Sequence, residues 1–165
     1  MSSQKGHIKV VKFLVKNGAN IHADNDIALI WSCLNGYLDV VKFLIENGAN
    51  IHAGNGAALR SAKSHIEVVK YLVENGANIH TDDENVLRRS SRYGKIEVVK
   101  FLVENGANIH ALDDCALKWS SSHGHIEIVK FLLNSDLEYF SNNEIARKIV
   151  IEEKLIEFYE KFNIK

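Results

Sequence analysis

Along most of the chain, two β-branched apolar residues, a lysine, an aromatic residue and a leucine recur in one register. The copies are Val10-Val11-Lys12-Phe13-Leu14, Val40-Val41-Lys42-Phe43-Leu44, Val68-Val69-Lys70-Tyr71-Leu72, Val98-Val99-Lys100-Phe101-Leu102 and Ile128-Val129-Lys130-Phe131-Leu132. Apolar residues at helical spacing, with Lys42/Glu46, Lys70/Glu74 and Lys100/Glu104 four apart on the solvent side, predict one amphipathic helix per copy. Asn-Gly follows the first four copies, and Gly18, Gly48, Gly76 and Gly106 are placed where a left-handed residue closes a helix C-terminus. The tetrapeptide Asn-Gly-Ala-Asn recurs at steps of 30, 28 and 30 residues, each time followed by Ile-His.

A second helix is predicted before each of these. One set of its positions hardly changes: Ala28, Leu29, Ser32, Cys33; Val86, Leu87, Ser90, Ser91; Ala116, Leu117, Ser120, Ser121. Positions i, i+1, i+4 and i+5 share one helical face, and small residues there let neighbouring helices approach closely. The remaining set varies from unit to unit and points the other way: Ile30, Trp31, Leu34, Asn35; Arg88, Arg89, Arg92, Tyr93; Lys118, Trp119, Ser122, His123. Asp26 and Asp114 stand one residue before two of these inner helices, where a carboxylate can cap free N–H groups.

Helix pairs are therefore expected near 27–35 and 38–46, 57–63 and 66–74, 86–93 and 96–104, and 116–123 and 126–134, with helix again in 142–162. The third unit is two residues short and has no glycine where Gly36, Gly94 and Gly124 turn the chain, so its inner helix should end by about residue 64. Residues 2–6 match the end of an inner helix, so the chain begins in mid-repeat, either as a piece of a longer array or with an uncapped edge exposing Ile8, Val11 and Leu14. The highly charged segment 142–162 keeps the register and reads as a degenerate last repeat that caps the array. The expected units are a half repeat 1–18, repeats 19–48, 49–76, 77–106 and 107–136, and a capping unit 137–165.

These residues carry a resemblance. Asn-Gly-Ala-Asn-Ile-His-Ala at 105–111 and Gly-His-Ile-Glu-Ile-Val-Lys-Phe-Leu at 124–132 resemble the ankyrin repeat, and the Asn-Ile-His-Ala ending with the short unit is most similar to the ankyrin arrays of giant DNA viruses of amoebae. The resemblance implies an all-α ankyrin-repeat solenoid of stacked helix-turn-helix units. It departs from the family in two ways. The usual unit of about 33 residues opens with Thr-Pro-Leu-His, whereas here Ile27-Ala28-Leu29-Ile30 and Cys115-Ala116-Leu117-Lys118 stand in that place and the chain has no proline. The missing residues fall in Asp24-Asn25-Asp26, Gly54-Asn55-Gly56, Asp82-Asp83-Glu84 and Leu112-Asp113-Asp114, so the projecting hairpin should be a stub.

Charge narrows the function. Twenty Lys and Arg against 21 Asp and Glu give a net charge of −1, without the basic excess that nucleic-acid binding exploits. No apolar run nears the roughly 20 residues of a membrane span. Cys33 and Cys115 lie three units apart, too far to pair, which points to a reducing, intracellular and cytoplasmic setting. No phosphate loop, nucleophile elbow or paired metal-ligand motif is present, so neither enzyme chemistry nor a cofactor is expected.

Two histidine patterns invite a metal reading. His22, His52, His80 and His110 recur once per unit, but helix layers about 10 Å apart cannot bring them onto one ion with bonds of about 2 Å. They are expected instead to hydrogen-bond between successive loops. His123 and His125 flank Gly124 and fit a surface turn. The varying inner face has the composition of an interaction surface, and the resemblance implies that this face lines the concave side where related arrays bind partners. Ile30, Trp31 and Leu34 would form an apolar end, Arg60, Lys63, Arg88, Arg89 and Arg92 a basic middle, and Trp119 with His123 an aromatic end, with Tyr93 and Lys118 on the same face. The tryptophans either pack between adjacent helices or face the partner. The expected function is non-enzymatic protein binding, directed at an acidic surface. The alternative is an architectural protein that self-associates through its N-terminal edge.

Overall fold

The computed structural model describes residues 2–136, with side chains from residue 8 onward. Inner helices α2 (Ala23–Leu34), α4 (Ala53–Ser61), α6 (Thr81–Arg92) and α8 (Ala111–Ser122) alternate with outer helices α1 (Ser2–Lys16), α3 (Leu38–Glu46), α5 (Ile66–Glu74), α7 (Ile96–Glu104) and α9 (Ile126–Ser135). No strand occurs among the described residues. The helix and capping unit expected in 137–165 lie outside them.

Each inner helix packs on its own outer helix and on the inner helices of adjacent units. Leu29, Leu59, Leu87 and Leu117 from the inner row and Leu44, Leu72, Leu102 and Leu132 from the outer row are almost fully buried. Truncating one such leucine to alanine costs about 2–5 kcal/mol, because its neighbours collapse only partly into the space. Of the small residues expected to pack, Ser32, Cys33, Val86, Ser90, Ser91, Ala116 and Ser120 are buried and Ser121 is half-buried, and Ala58 and Ala62 are buried in the third unit. Ala28 is exposed instead. It stands on α2, the first inner helix among the described residues.

Outer helices close as the sequence predicts. Gly18, Gly48, Gly76 and Gly106 take φ near +90°, Ala49 N–H reaches back to the Leu44 carbonyl at 2.9 Å, and the Asn47 side-chain amide donates to the Phe43 carbonyl at 2.7 Å. Asn17, Asn75 and Asn105 repeat that bond, which satisfies helix-end carbonyls that would otherwise need water.

The hairpin stub is a single left-handed turn. Asp24, Asn25 and Asp26 have φ of 50°, 54° and 58°, and Gly54–Gly56, Asp82–Glu84 and Leu112–Asp114 adopt the same conformation before the right-handed helix starts. Left-handed backbone costs ordinary L-residues about 1–2 kcal/mol each, less for Asp, Asn and Gly. That accounts for the composition of these turns, where only Glu84 and Leu112 depart from those three types.

Two irregularities follow the sequence defects. Helix α4 ends at Ser61 and has nine residues where α2, α6 and α8 have twelve, as the two-residue deletion predicts. At the N-terminal edge the expected stub of inner helix is absent, since α1 runs unbroken through Gly6 to Lys16. Among the described residues no inner helix packs beside this segment, so nothing there offsets the loss of hydrogen bonds that a turn at Gly6 would bring.

Candidate functional site

The histidine ladder works through a buried carboxylate. His22 Nδ1 lies 3.1 Å from Asp26 Oδ1, His80 Nδ1 2.6 Å from Glu84 Oε1, and His110 Nδ1 2.8 Å from Asp114 Oδ1. Asp26, Glu84 and Asp114 are almost fully buried. The same oxygens then cross to the next unit, where Asp26 accepts from Asn50 N–H at 2.8 Å and Glu84 from Asn108 N–H at 3.1 Å. The caps expected at Asp26 and Asp114 are therefore corrected, because neither inner helix has a side-chain cap of this kind. Three left-handed residues aim the Asp26 and Glu84 side chains across the unit boundary instead. Direct bonding of histidine to the following loop is seen at His110 Nε2 and Asp136 Oδ2, 3.3 Å apart. A His-x-x-x-Asp/Glu spacing in every unit but the third was the signal for this clamp. In the third, Gly56 replaces the carboxylate.

The varying inner-helix residues fall into rows by register, and the structure divides them by what their heads touch. In the row Ile30, Arg60, Arg88 and Lys118, the charged heads fold back on their own left-handed turns. Arg60 donates to the carbonyls of Asn55 and Gly54 and pairs with Asp82 at 3.0 Å. Arg88 donates from Nε to Asp83 O at 2.7 Å and from Nη2 to Asp82 O at 2.8 Å. Lys118 pairs with Asp113. A planar guanidinium suits two successive carbonyls, and that local role was not legible in the variation between units. Ile30 has no such head and is half-buried.

The next row, Trp31, Ser61, Arg89 and Trp119, faces outward with its neighbours Leu34, Arg92, Tyr93 and His123. Trp31 is 58% exposed, and Leu34 and Tyr93 are exposed as well. Trp119 is half-buried, with the guanidiniums of Arg88 and Arg92 5.7 and 5.4 Å from its ring centre. Lys63 Nζ and Arg92 Cζ each lie 5.9 Å from the centre of the Tyr93 ring. The Tyr93 hydroxyl is pushed below its ordinary pKa, first by a hydrogen bond from Arg89 and then by the charges of Arg89, Arg92 and Lys63. The Lys63 ammonium is pushed down by burial and by Arg89. Among the described residues, no carboxylate comes within ion-pairing distance of Lys63, Arg89 or Arg92. The structure thus brings Lys63, Arg89, Arg92, Tyr93 and Trp119 together and leaves Ile30, Trp31 and Leu34 as a separate apolar group two units away.

His123 sits at the far end, with Nδ1 2.9 Å from the Trp119 carbonyl. Its ring stacks on His125 at 6.3 Å between centres, and His125 Nε2 is 2.9 Å from the Arg92 carbonyl. Among the described residues no three His, Cys, Asp or Glu side chains group as a metal site would need. Cys33 and Cys115 are both free thiols. No described helix is long and apolar enough to cross a membrane.

The N-terminal edge exposes Leu14 as expected, but Val10 and Phe13 in place of Ile8 and Val11. Ile8 and Val11 are partly buried against the core, whereas Val10 (56%), Phe13 (66%) and Leu14 (50%) face solvent. Their equivalents Val40 and Leu44 are buried one unit later, on α3, which has α1 beside it.

Stacked helix pairs closed by Asn-Gly, joined by His-carboxylate clamps and repeating every 28–30 residues, agree with the comparison against known families. A family model described as ankyrin repeats, three copies, matches residues 1–55 and 56–145. No curated protein matches the chain. On this match and this geometry, the chain belongs to the ankyrin-repeat family.

Proposed function

We propose that this array recognises an acidic protein surface through the outward row of its inner helices, centred on Arg89, Arg92, Tyr93 and Trp119. Ankyrin repeats generally mediate protein–protein interaction and are typically non-enzymatic. The observation that carries the finer reading is the group of three cations, Lys63, Arg89 and Arg92, with no carboxylate partner among the described residues and two aromatic rings beside them. Buried Arg, Tyr and Trp dominate the energetics of protein interfaces, and unpaired like charges on a folded surface favour an acidic partner. Trp31 and Leu34 extend the same face with apolar surface. Free, widely separated cysteines support a reducing intracellular setting, and the unit endings support kinship with the arrays of giant amoebal viruses.

The test titrates the Trp31→Phe protein, which keeps Trp119 as its one tryptophan, with an acidic amphipathic peptide of alternating Glu and Leu. Trp119 fluorescence should respond and saturate, with affinity falling as salt rises. Reversal of Arg89 and Arg92 to glutamate should remove the response while helicity is retained, and reversal of Lys42, Lys70 and Lys100 on the outer helices should not. Arg88 is left intact because its loss would release the Asp82–Glu84 turn. An unchanged response in the Arg89/Arg92 variant overturns the reading.

A second reading rests on Val10, Phe13 and Leu14, whose exposure gives water a contiguous apolar edge to disfavour. In that reading the edge mediates self-association. Light scattering should then show mass rising with concentration, and Val10→Lys with Leu14→Lys should abolish the rise. A monomer at all concentrations removes this reading.

A further inference from the structure

We propose that the cations around Tyr93 form a receptor for a phosphoryl group, carried on a phosphorylated serine or threonine of the partner. This rests on the reading above and names the chemistry that its basic centre selects. Lys63 comes from the link between α4 and α5, Arg89 and Arg92 from α6, and Tyr93 follows the end of α6. The shortened third unit is what delivers Lys63. In the other units its register position holds Cys33, Ser91 or Ser121, small residues that pack between helices. With α4 ending at Ser61, Lys63 is freed from that role, and its backbone is held by Ser90, whose hydroxyl donates to the Lys63 carbonyl at 3.0 Å.

The charges gather around one side chain. Lys63 Nζ and Arg92 Cζ each stand 5.9 Å from the Tyr93 ring centre, and Arg89 is the strongest of the influences that lower the pKa of the same residue's hydroxyl. The field there already favours a negative oxygen, since it holds the phenol below its ordinary pKa. A carboxylate would bring one charge and two acceptor oxygens to three cationic heads. A phosphate monoester brings about −1.5 to −2 and three strong acceptors, and charge-assisted bonds to Arg and Lys are the stronger kind. The remaining cations of the face are excluded from this role, because Arg60 and Arg88 are held by the carbonyls of their own turns.

A peptide suits the surroundings better than a membrane or a nucleic acid. The cluster is a single focus on a chain of net charge −1, not a stripe that could follow a phosphate backbone. Trp31 and Leu34 occupy on α2 the register positions of Arg89 and Arg92 on α6. They lie two units away, roughly 20 Å at about 10 Å per helix layer, a span that an extended peptide covers in about six residues. The favoured ligand therefore carries a phosphorylated residue and a large apolar residue about six positions apart.

The test measures fluorescence anisotropy of the full chain with three labelled peptides identical except at the central position, which is Ser, Glu or phosphoserine, with Leu residues six positions to either side. The phosphopeptide should bind at least about tenfold more tightly than the Glu peptide. Arg89→Gln with Arg92→Gln, and Lys63→Gln separately, should bring the phosphopeptide down toward the Glu peptide with circular dichroism unchanged. Equal affinity of the Glu and phosphoserine peptides overturns the phosphoryl assignment while leaving the acidic-partner reading intact. Failure of every peptide to bind removes both. Tighter binding to phosphoinositide vesicles or to a 20-nucleotide RNA than to the phosphopeptide also overturns the assignment, in favour of that other source of phosphate.

Discussion

The carboxylate of Asp26 accepts a hydrogen bond from the backbone N–H of Asn50 at 2.8 Å, across the boundary between two repeats. The same oxygen holds His22 at 3.1 Å within its own repeat. One buried group thereby ties a loop to its successor, and Glu84 does the same for Asn108. Removing such a group should give up hydrogen bonds to a charged acceptor, which contribute about 1.5–3 kcal/mol.

Asp26→Ala should therefore lower stability by about 2 kcal/mol, as read from the midpoint of urea unfolding. His22 is half exposed, so His22→Ala should lose less than half as much. Equal losses would show that histidine, and not the carboxylate, holds the joint.

The third unit lacks the clamp because Gly56 stands in the carboxylate position, at φ 73°. Asp26 and Asp114 occupy the equivalent backbone at φ 58° and 57°, so aspartate is compatible with it. Gly56→Asp should raise stability by about 1 kcal/mol by giving Asn78 and His52 the partner their counterparts have. A Cβ at this position would stand 3.2 Å from Thr81 Cγ2, so that methyl must shift by a few tenths of an ångström. Gly56→Ala meets the same methyl and the same left-handed backbone without adding an acceptor, and should lower stability by about 1 kcal/mol. A thermal melt in which both variants fall equally would refute the clamp.

Gly36 combines a left-handed φ of 71° with a close neighbour, since a Cβ there would lie 2.4 Å from His65 Nδ1. His65 is itself held by Nε2, 3.0 Å from the Leu34 carbonyl. Gly36→Ala should cost more than about 2 kcal/mol through strain and displacement of that ring. Adding His65→Ala should recover part of the loss, and a double-mutant cycle showing no coupling would place the whole cost in the backbone.

Burial pushes the Cys33 thiol up to about 12. Only thiolate attacks a disulfide reagent, so at pH 8 Cys33 should react only as fast as the array opens. Half-buried Cys115 should react first. Rapid labelling of both thiols in the folded protein would show that the first full repeat opens locally.

Repetition made the helices legible. Leu29, Leu87 and Leu117, or Asn47, Asn75 and Asn105, recur with the same neighbours, and both helical faces and glycine caps depend on residues only a few positions apart. The early end of α4 was readable for the same reason, because a deletion within a fixed period has to shorten one element. The site was less legible. Arg60, Arg88 and Arg89 read alike as variable, charged and outward-facing, yet the first two close on carbonyls five and six residues back. That distinction depends on the left-handed turn presenting those carbonyls.

By itself the sequence determined the all-helical period, the packing rows and the place of each glycine cap, because local backbone preference and a repeated apolar spacing admit one arrangement of stacked helix pairs. Tertiary structure alone decided that Asp26 and Glu84 reach the next repeat instead of capping their own helices, that Ala28, Val10 and Leu14 are exposed where their counterparts are buried, and that Lys63, Arg89 and Arg92 meet at Tyr93. Each of these depends on which unit stands beside the residue. A repeated sequence specifies what every unit can do, while burial and charge pairing are properties of the neighbour it is given.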